Sequence, residues 1–199
     1  MEPSPSPEEL DALFALADLG VRAGLAGDPA PTVDPANLAP GLRESKGVFV
    51  TLEVVGDLNG CIGSIVPEAP LGVAVPRLAW AAAFDDPRLP PLTVAEYPSL
   101  EIKLSLIGPL EPVPAETEGE LVAHLRPGVD GVLIRSGAAN ATFLPTVWQK
   151  VPDALWFLRH LEAKAGLRPG QWPHGMQAWR YPTSDDRRKA VDIDRRTAA

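Results

Sequence analysis

Apolar residues first recur at Leu10, Leu13, Phe14, Ala17 and Val21, the three-and-four spacing that lays one face of a helix against a core. The residues before them predict where that helix starts: Ser6 caps, Pro7 suits the first helical position, and Glu9 completes a capping box. Gly24 and Gly27 end it. The proline-rich run from Asp28 to Gly41 then predicts a long connection over the surface.

The pattern changes at Gly47. Val48 to Val55 is rich in β-branched and apolar residues, Gly56 to Gly60 is a turn cluster ending in Asn-Gly, and Cys61 to Val66 is apolar again. A β-hairpin is predicted, with its turn at 56–60 and Cys61 just past it. Helical character returns from Leu71 to Phe84, where Pro76 is expected to kink or split the helix. A rigid charged loop, Asp85-Asp86-Pro87-Arg88-Leu89-Pro90-Pro91, comes next. Leu100, Ile102, Leu104 and Leu106 then alternate with Glu101, Lys103 and Ser105, the period of a half-buried strand. Its polar face carries Glu101 and Lys103 side by side, read as a solvated ladder.

Glu116 to Leu125 predicts a short helix ended by Arg126-Pro127-Gly128. Val132 to Arg135 and Ala141 to Leu144 read as a second hairpin with a longer loop, both strands in one sheet. Pro152 to Ala165 is a helix with Gly166 at its C-terminal stop, and Trp172 to Tyr181 adds a last strand. Hairpins interspersed with single helices, without regular βαβ units, predict an α+β fold: a largely antiparallel sheet flanked by helices. Residues 1–5 are expected to be disordered, 6–182 to form a single domain, and 183–199 to be a charged, flexible tail.

Composition narrows the functions. The 199 residues suffice for one core burying roughly 70% of the unfolded surface. The 23 prolines lie between the periodic segments and punctuate loops. A net charge of -8, with a pI near 4.9, opposes a nucleic-acid partner, which needs a basic stripe. The basic cluster Arg187-Arg188-Lys189 sits among Asp185, Asp186, Asp192 and Asp194 and reads as solvated mixed charge. No apolar run approaches the ~18 residues of a membrane span, so no membrane partner is expected. One cysteine cannot form an intramolecular disulfide, and residues 1–30 lack a secretory leader, so the expected location is cytoplasmic.

The chemistry centres on Cys61, bracketed by Gly60 and Gly63, which leave its surroundings uncluttered. A cysteine beside a positive group is a candidate nucleophile, because the thiolate is the reactive species. A free cysteine is equally a small buried hydrophobe. Asp85, Asp86 and Arg88 either hold a polar ligand and orient Cys61 or form an internal ion pair that clamps their loop. His124, His160 and His174 are too dispersed for a metal-ligand signature, so no metal is expected. Gly60 and Gly63 match neither a P-loop nor a dinucleotide fingerprint, and no cofactor is expected. Trp148, Trp156, Trp172 and Trp179 either complete a core or line an aromatic ligand wall.

Several ordered blocks resemble the AMME chromosomal region candidate family, known in prokaryotes as protein A of the AmmeMemoRadiSam system. They are Gly47-Val48-Phe49-Val50-Thr51-Leu52, Leu58-Asn59-Gly60-Cys61-Ile62-Gly63 and Ala82-Ala83-Phe84-Asp85-Asp86-Pro87-Arg88-Leu89, then Gly131-Val132, Thr142-Phe143-Leu144-Pro145-Thr146-Val147-Trp148, and Phe157-Leu158 through Lys164-Ala165-Gly166-Leu167. The likeness spans residues 8 to 182. It implies a larger and a smaller subdomain with the glycine-cysteine motif near a cleft between them. It also implies a pathway shared with a Memo-like protein and a radical SAM protein, without a defined reaction. The family motif usually has arginine before Gly-Cys, where this chain has Asn59. If that arginine binds an anion, Arg88 or Lys46 are the candidate replacements; alternatively, Asn59 simply suits a turn.

Two functions follow. One is a ligand- or partner-binding module serving the two companion proteins. The other is a small cysteine-dependent enzyme or modification factor, with Cys61 as nucleophile, Asn59 and Gly60 donating to a developing anion, and Asp85, Asp86 and Arg88 positioning the substrate. The binding module is the more defensible, because no base stands behind the cysteine at a readable spacing.

Overall fold

The computed structural model describes residues 5–197. They divide into two compact units: one runs up to Ile107 and resumes at Ser184, and the other is Gly108–Thr183. The fold is α+β, with five helices and two antiparallel four-stranded sheets among the described residues.

In the first unit, α1 (Pro7–Leu25) begins with the capping box expected of it: Ser6 Oγ accepts the N–H of Glu9 at 3.2 Å, and Ser6 N–H donates to Glu9 Oε2 at 2.9 Å. Leu13, Phe14, Ala17 and Val21 are buried by packing on α2 (Leu71–Phe84) and on the sheet. Pro76 does not split α2, which runs unbroken through it. An internal proline costs about 3 kcal/mol, but this one is buried where its carbonyl lies against Gly20 of α1. A Cβ at position 20 would collide with that carbonyl, so the close helix crossing that buries Pro76 depends on glycine.

The two helices cover one face of a sheet ordered β2-β1-β3-β8, comprising β1 (Val48–Val54), β2 (Asp57–Ser64), β3 (Leu100–Ile107) and β8 (Thr183–Lys189). Val48, Val50 and Leu52 of β1 and Leu100, Ile102, Leu104 and Leu106 of β3 are buried on that face. This is what strict alternation predicts.

The hairpin forms with a different turn from the one expected. Val54 pairs with Asp57, so the turn is Val55-Gly56, with φ of +53° and +87°. Positive φ at both central residues is the type I′ pattern that matches strand twist. Asn59-Gly60 lies inside β2, where pairing passes from Leu52↔Gly60 to Glu53↔Leu58 and leaves Asn59 as the extra residue of a bulge.

The flexible tail expected at 183–199 is also corrected. Thr183–Lys189 is β8, and Ala190–Thr197 forms α5, whose Ala190 and Ile193 join the core. The charges that suggested fraying have partners: Arg187 with Glu101 at 2.9 Å, Lys103 with Asp185 at 3.4 Å, and Arg188 with Asp11 at 3.3 Å and over the ring of Phe14. The polar face of β3 thus supplies the counter-charges for β8, forming a cross-strand ladder. Residues 1–4 of the expected disordered N-terminus, and the last two residues, lie outside the described residues.

The second unit carries a sheet ordered β4-β7-β5-β6, from β4 (Glu111–Pro112), β5 (Gly131–Ser136), β6 (Ala139–Phe143) and β7 (Gln177–Tyr181). The second hairpin therefore belongs to a sheet of its own. Its loop is the two residues Gly137-Ala138, shorter than expected, with Gly137 at φ +60°. Helices α3 (Glu118–His124) and α4 (Ala154–Lys164) contribute Leu121, Phe157, Leu158 and Leu161 to a core with Val132 and Ile134. Asp153 caps α4 by accepting the N–H of Trp156 at 2.9 Å. At its other end Leu167 N–H reaches the Glu162 carbonyl at 2.9 Å across Gly166, a Schellman closure. Of the four late tryptophans, Trp148 completes this core, stacked flat on Phe157 at 3.7 Å, whereas Trp156 is exposed.

Candidate functional site

β2 is the edge strand of its sheet, so alternate residues turn main-chain N–H and C=O groups away from β1. Cys61 is one of them. Its N–H donates to Asp86 Oδ2 at 3.0 Å, and its carbonyl accepts from Arg88 Nη2 at 2.9 Å. The loop after α2 thereby covers the sheet edge with one carboxylate and one guanidinium. The same geometry makes Cys61↔Thr51 a non-hydrogen-bonded pair, in which facing side chains come closest. The Thr51 hydroxyl donates to Cys61 Sγ at 3.2 Å.

Asp86 is the hub. Its side chain is 2% exposed and also accepts from Arg88 at the main-chain N–H (3.1 Å), at Nε (2.8 Å) and at Nη2 (2.6 Å). The Arg88 hydrogen bonds hold the carboxyl well below the usual carboxylate range; burial opposes them, and the Cys61 N–H adds to them. Arg88 is correspondingly raised, chiefly by its hydrogen bonds to Asp86, although its side chain is 61% exposed. Asp86 and Arg88 thus form an ion pair within their own loop. Neither the carboxylate nor the guanidinium hydrogen-bonds the sulfur.

The remaining sequence candidates fall around this hub unequally. Asn59 is buried in the bulge and its Oδ1 has no protein partner. Gly60 backs onto the Ala82 carbonyl and Gly63 lies against Phe49, so both glycines serve close packing, and Gly60 N–H is not offered to an open surface. Asp85 is exposed at the C-cap of α2, with no side-chain hydrogen bond or ion pair to Asp86, Arg88 or Cys61. Of the two candidate anion donors, Arg88 is committed to Asp86 and Cys61, and Lys46 is ion-paired with Glu44 at 2.8 Å. His124 and His160 each bond a carbonyl one turn back on their own helix. Among the described residues no group of three or more His, Cys, Asp or Glu is placed to hold a metal, and no helix is long and apolar enough to cross a membrane.

The sequence reading missed a cavity of about 270 Å³ in the first unit, between α2 and the ends of β1 and β2. Lys46, Val48, Ser64, Arg77, Leu78 and Trp80 line it. The indole of Trp80 is held by Nε1 donating to the Asp28 carbonyl at 3.0 Å and by a tilted contact with Phe84 at 5.8 Å. A signal was present: Ala74, Arg77, Leu78 and Ala81 recur at three-and-four spacing on one face of α2, with Arg77 the charge in an otherwise apolar row.

Comparison with known proteins agrees with the family resemblance read from the sequence. The AMMECR1 family model matches residues 16–185. A protein of Thermofilum pendens is 36% identical over 162 residues, covering 74% of this chain and 75% of its own length. One from Methanothermobacter thermautotrophicus is 39% identical over 140 residues, covering 68% and 71%. The crystal structure of the uncharacterized protein PH0010 from Pyrococcus horikoshii superposes with a TM-score of 0.82 at 28% identity, covering 92% of this chain and 93% of that one. With a family model matched over residues 16–185, relatives at 36% and 39% identity and a shared fold, the chain belongs to the AMMECR1 family.

Proposed function

We propose that this chain is a binding module, holding a small ligand or a partner protein, in which Cys61 serves the sheet edge and not covalent chemistry. The observation that carries this reading is the direction of the contacts around Cys61. Asp86 and Arg88 direct their hydrogen bonds to its main chain, while among the described residues the sulfur receives a hydrogen bond only from the neutral Thr51 hydroxyl. Arg88 interacts with Cys61 through its charge but hydrogen-bonds the carbonyl, whereas a thiol nucleophile is activated by a base or a cation bonded at the sulfur itself. The Memo-like and radical SAM proteins implied by the family resemblance are the partners to test first, by co-purification.

The competing reading, a cysteine-dependent enzyme, draws on the partial exposure of Cys61. Iodoacetamide alkylation at pH 7 separates the two. A rate no faster than that of an unstructured cysteine peptide is the expected result. Acceleration by about tenfold or more, lost in Arg88→Gln, overturns the binding-module reading.

A further inference from the structure

The cavity beside α2 has no role in the edge clamp, and its walls are chemically uneven. Val48, Ala74, Leu78 and Ala81 make an apolar floor, and Trp80 a fixed aromatic wall. The volume, about 270 Å³, is that of about nine water molecules, at the small end of ligand pockets and enough for a single ring with a short polar head.

The charges narrow the occupant. Lys46 is held by Glu44 at 2.8 Å, so its charge is largely answered within the protein. Arg77, exposed on α2, makes no hydrogen bond or ion pair among the described residues. A guanidinium left unpaired beside apolar walls offers a planar fork that fits a carboxylate through two parallel hydrogen bonds. Glu68, also in the lining, carries no ion pair either and repels a second negative charge. One cation opposed by one anion suits a single charge on the ligand and disfavours a phosphate dianion.

We propose that this cavity binds a small monocarboxylic acid with an apolar or aromatic body, its carboxylate on Arg77 and its body against Trp80 and Leu78. The inference rests on the binding-module reading and names the ligand class.

The test is titration of the full chain with phenylacetate, phenyl phosphate and benzyl alcohol, followed by calorimetry and by the indole N–H resonance of Trp80. Phenylacetate is expected to saturate at one site, shift that resonance, and bind about tenfold or more tightly than benzyl alcohol, the effect of losing one charge-assisted pair, and more tightly than phenyl phosphate, whose second negative charge meets Glu68. Arg77→Gln should remove that advantage. Arg77 has no hydrogen bond or ion pair among the described residues to lose, so the variant should fold with an unchanged spectrum outside the cavity. Equal binding of benzyl alcohol or phenyl phosphate, an unchanged affinity in Arg77→Gln, or no saturation by phenylacetate at millimolar concentration overturns the assignment. The alkylation experiment on Cys61 is independent of all three ligands, so failure of the ligand class and failure of the module reading are read separately.

Discussion

Gly60 backs directly onto the carbonyl of Ala82, so that β2 and the last turn of α2 touch main chain to main chain. Neither side of that contact is a flexible side chain, and any Cβ at position 60 must push the strand or the helix away. Strand and helix together place Cys61 and the Asp86 loop within hydrogen-bonding distance.

Gly60→Ala should therefore destabilise the chain by about 2 kcal/mol or more, the cost of overpacking against fixed neighbours. Urea denaturation measures this. Gly119→Ala is the control: position 119 lies in α3 with nothing within 4 Å of a new Cβ. There the same change should stabilise by about 0.5–1 kcal/mol through helix propensity.

Val55 is the described non-glycine residue with positive φ, at +53°, and it is 82% exposed at the hairpin tip. A β-branched side chain in that region is strained and gains nothing from burial here. Val55→Asn, which restores the Asn-Gly preference of this turn, should raise stability by about 1 kcal/mol. Thermal unfolding would show it as a higher Tm.

Asp86 links stability to acid. Its folded carboxyl titrates below the unfolded value, which is about 3.9. Its contribution is therefore complete above that value and is lost as pH falls through the folded one. Asp86→Asn should cost about 2 kcal/mol at pH 7, the scale of hydrogen bonds to a charged group. The difference between wild type and variant should shrink as pH falls below the unfolded value, which denaturation at neutral and acid pH would reveal.

Glu162 runs the other way. It is fully buried, with Oε2 accepting from Gly170 N–H at 2.8 Å and Oε1 without a partner. Burial raises its pKa, with the Gly170 hydrogen bond opposing. Stability relative to Glu162→Gln should thus be greatest below the unfolded value of about 4.3 and decline as pH rises through the folded one. Paired denaturation curves across that window check the sign.

Much of the fold was legible because local rules and tertiary packing agreed. The capping box at Ser6, the apolar row of α1 and the alternation of β3 each had a single low-energy reading. Asn59-Gly60 misled because Asn-Gly favours the I′ turn, whereas burial of Leu52 on the core face fixed the register and put the turn at Val55-Gly56. Residues 183–189 misled because mixed charge looks solvated until the strand that answers it is known.

By itself the sequence determined the family and the α+β class, since these reside in local pattern and motif. Only the tertiary structure decided that Asp86 and Arg88 grip the main chain of Cys61 in place of its sulfur, and that Lys46, Ser64, Arg77 and Trp80 line one cavity. Both depend on which atoms of residues distant in the chain meet, and that is fixed by the packing of α2 against the strands, which no spacing along the chain encodes.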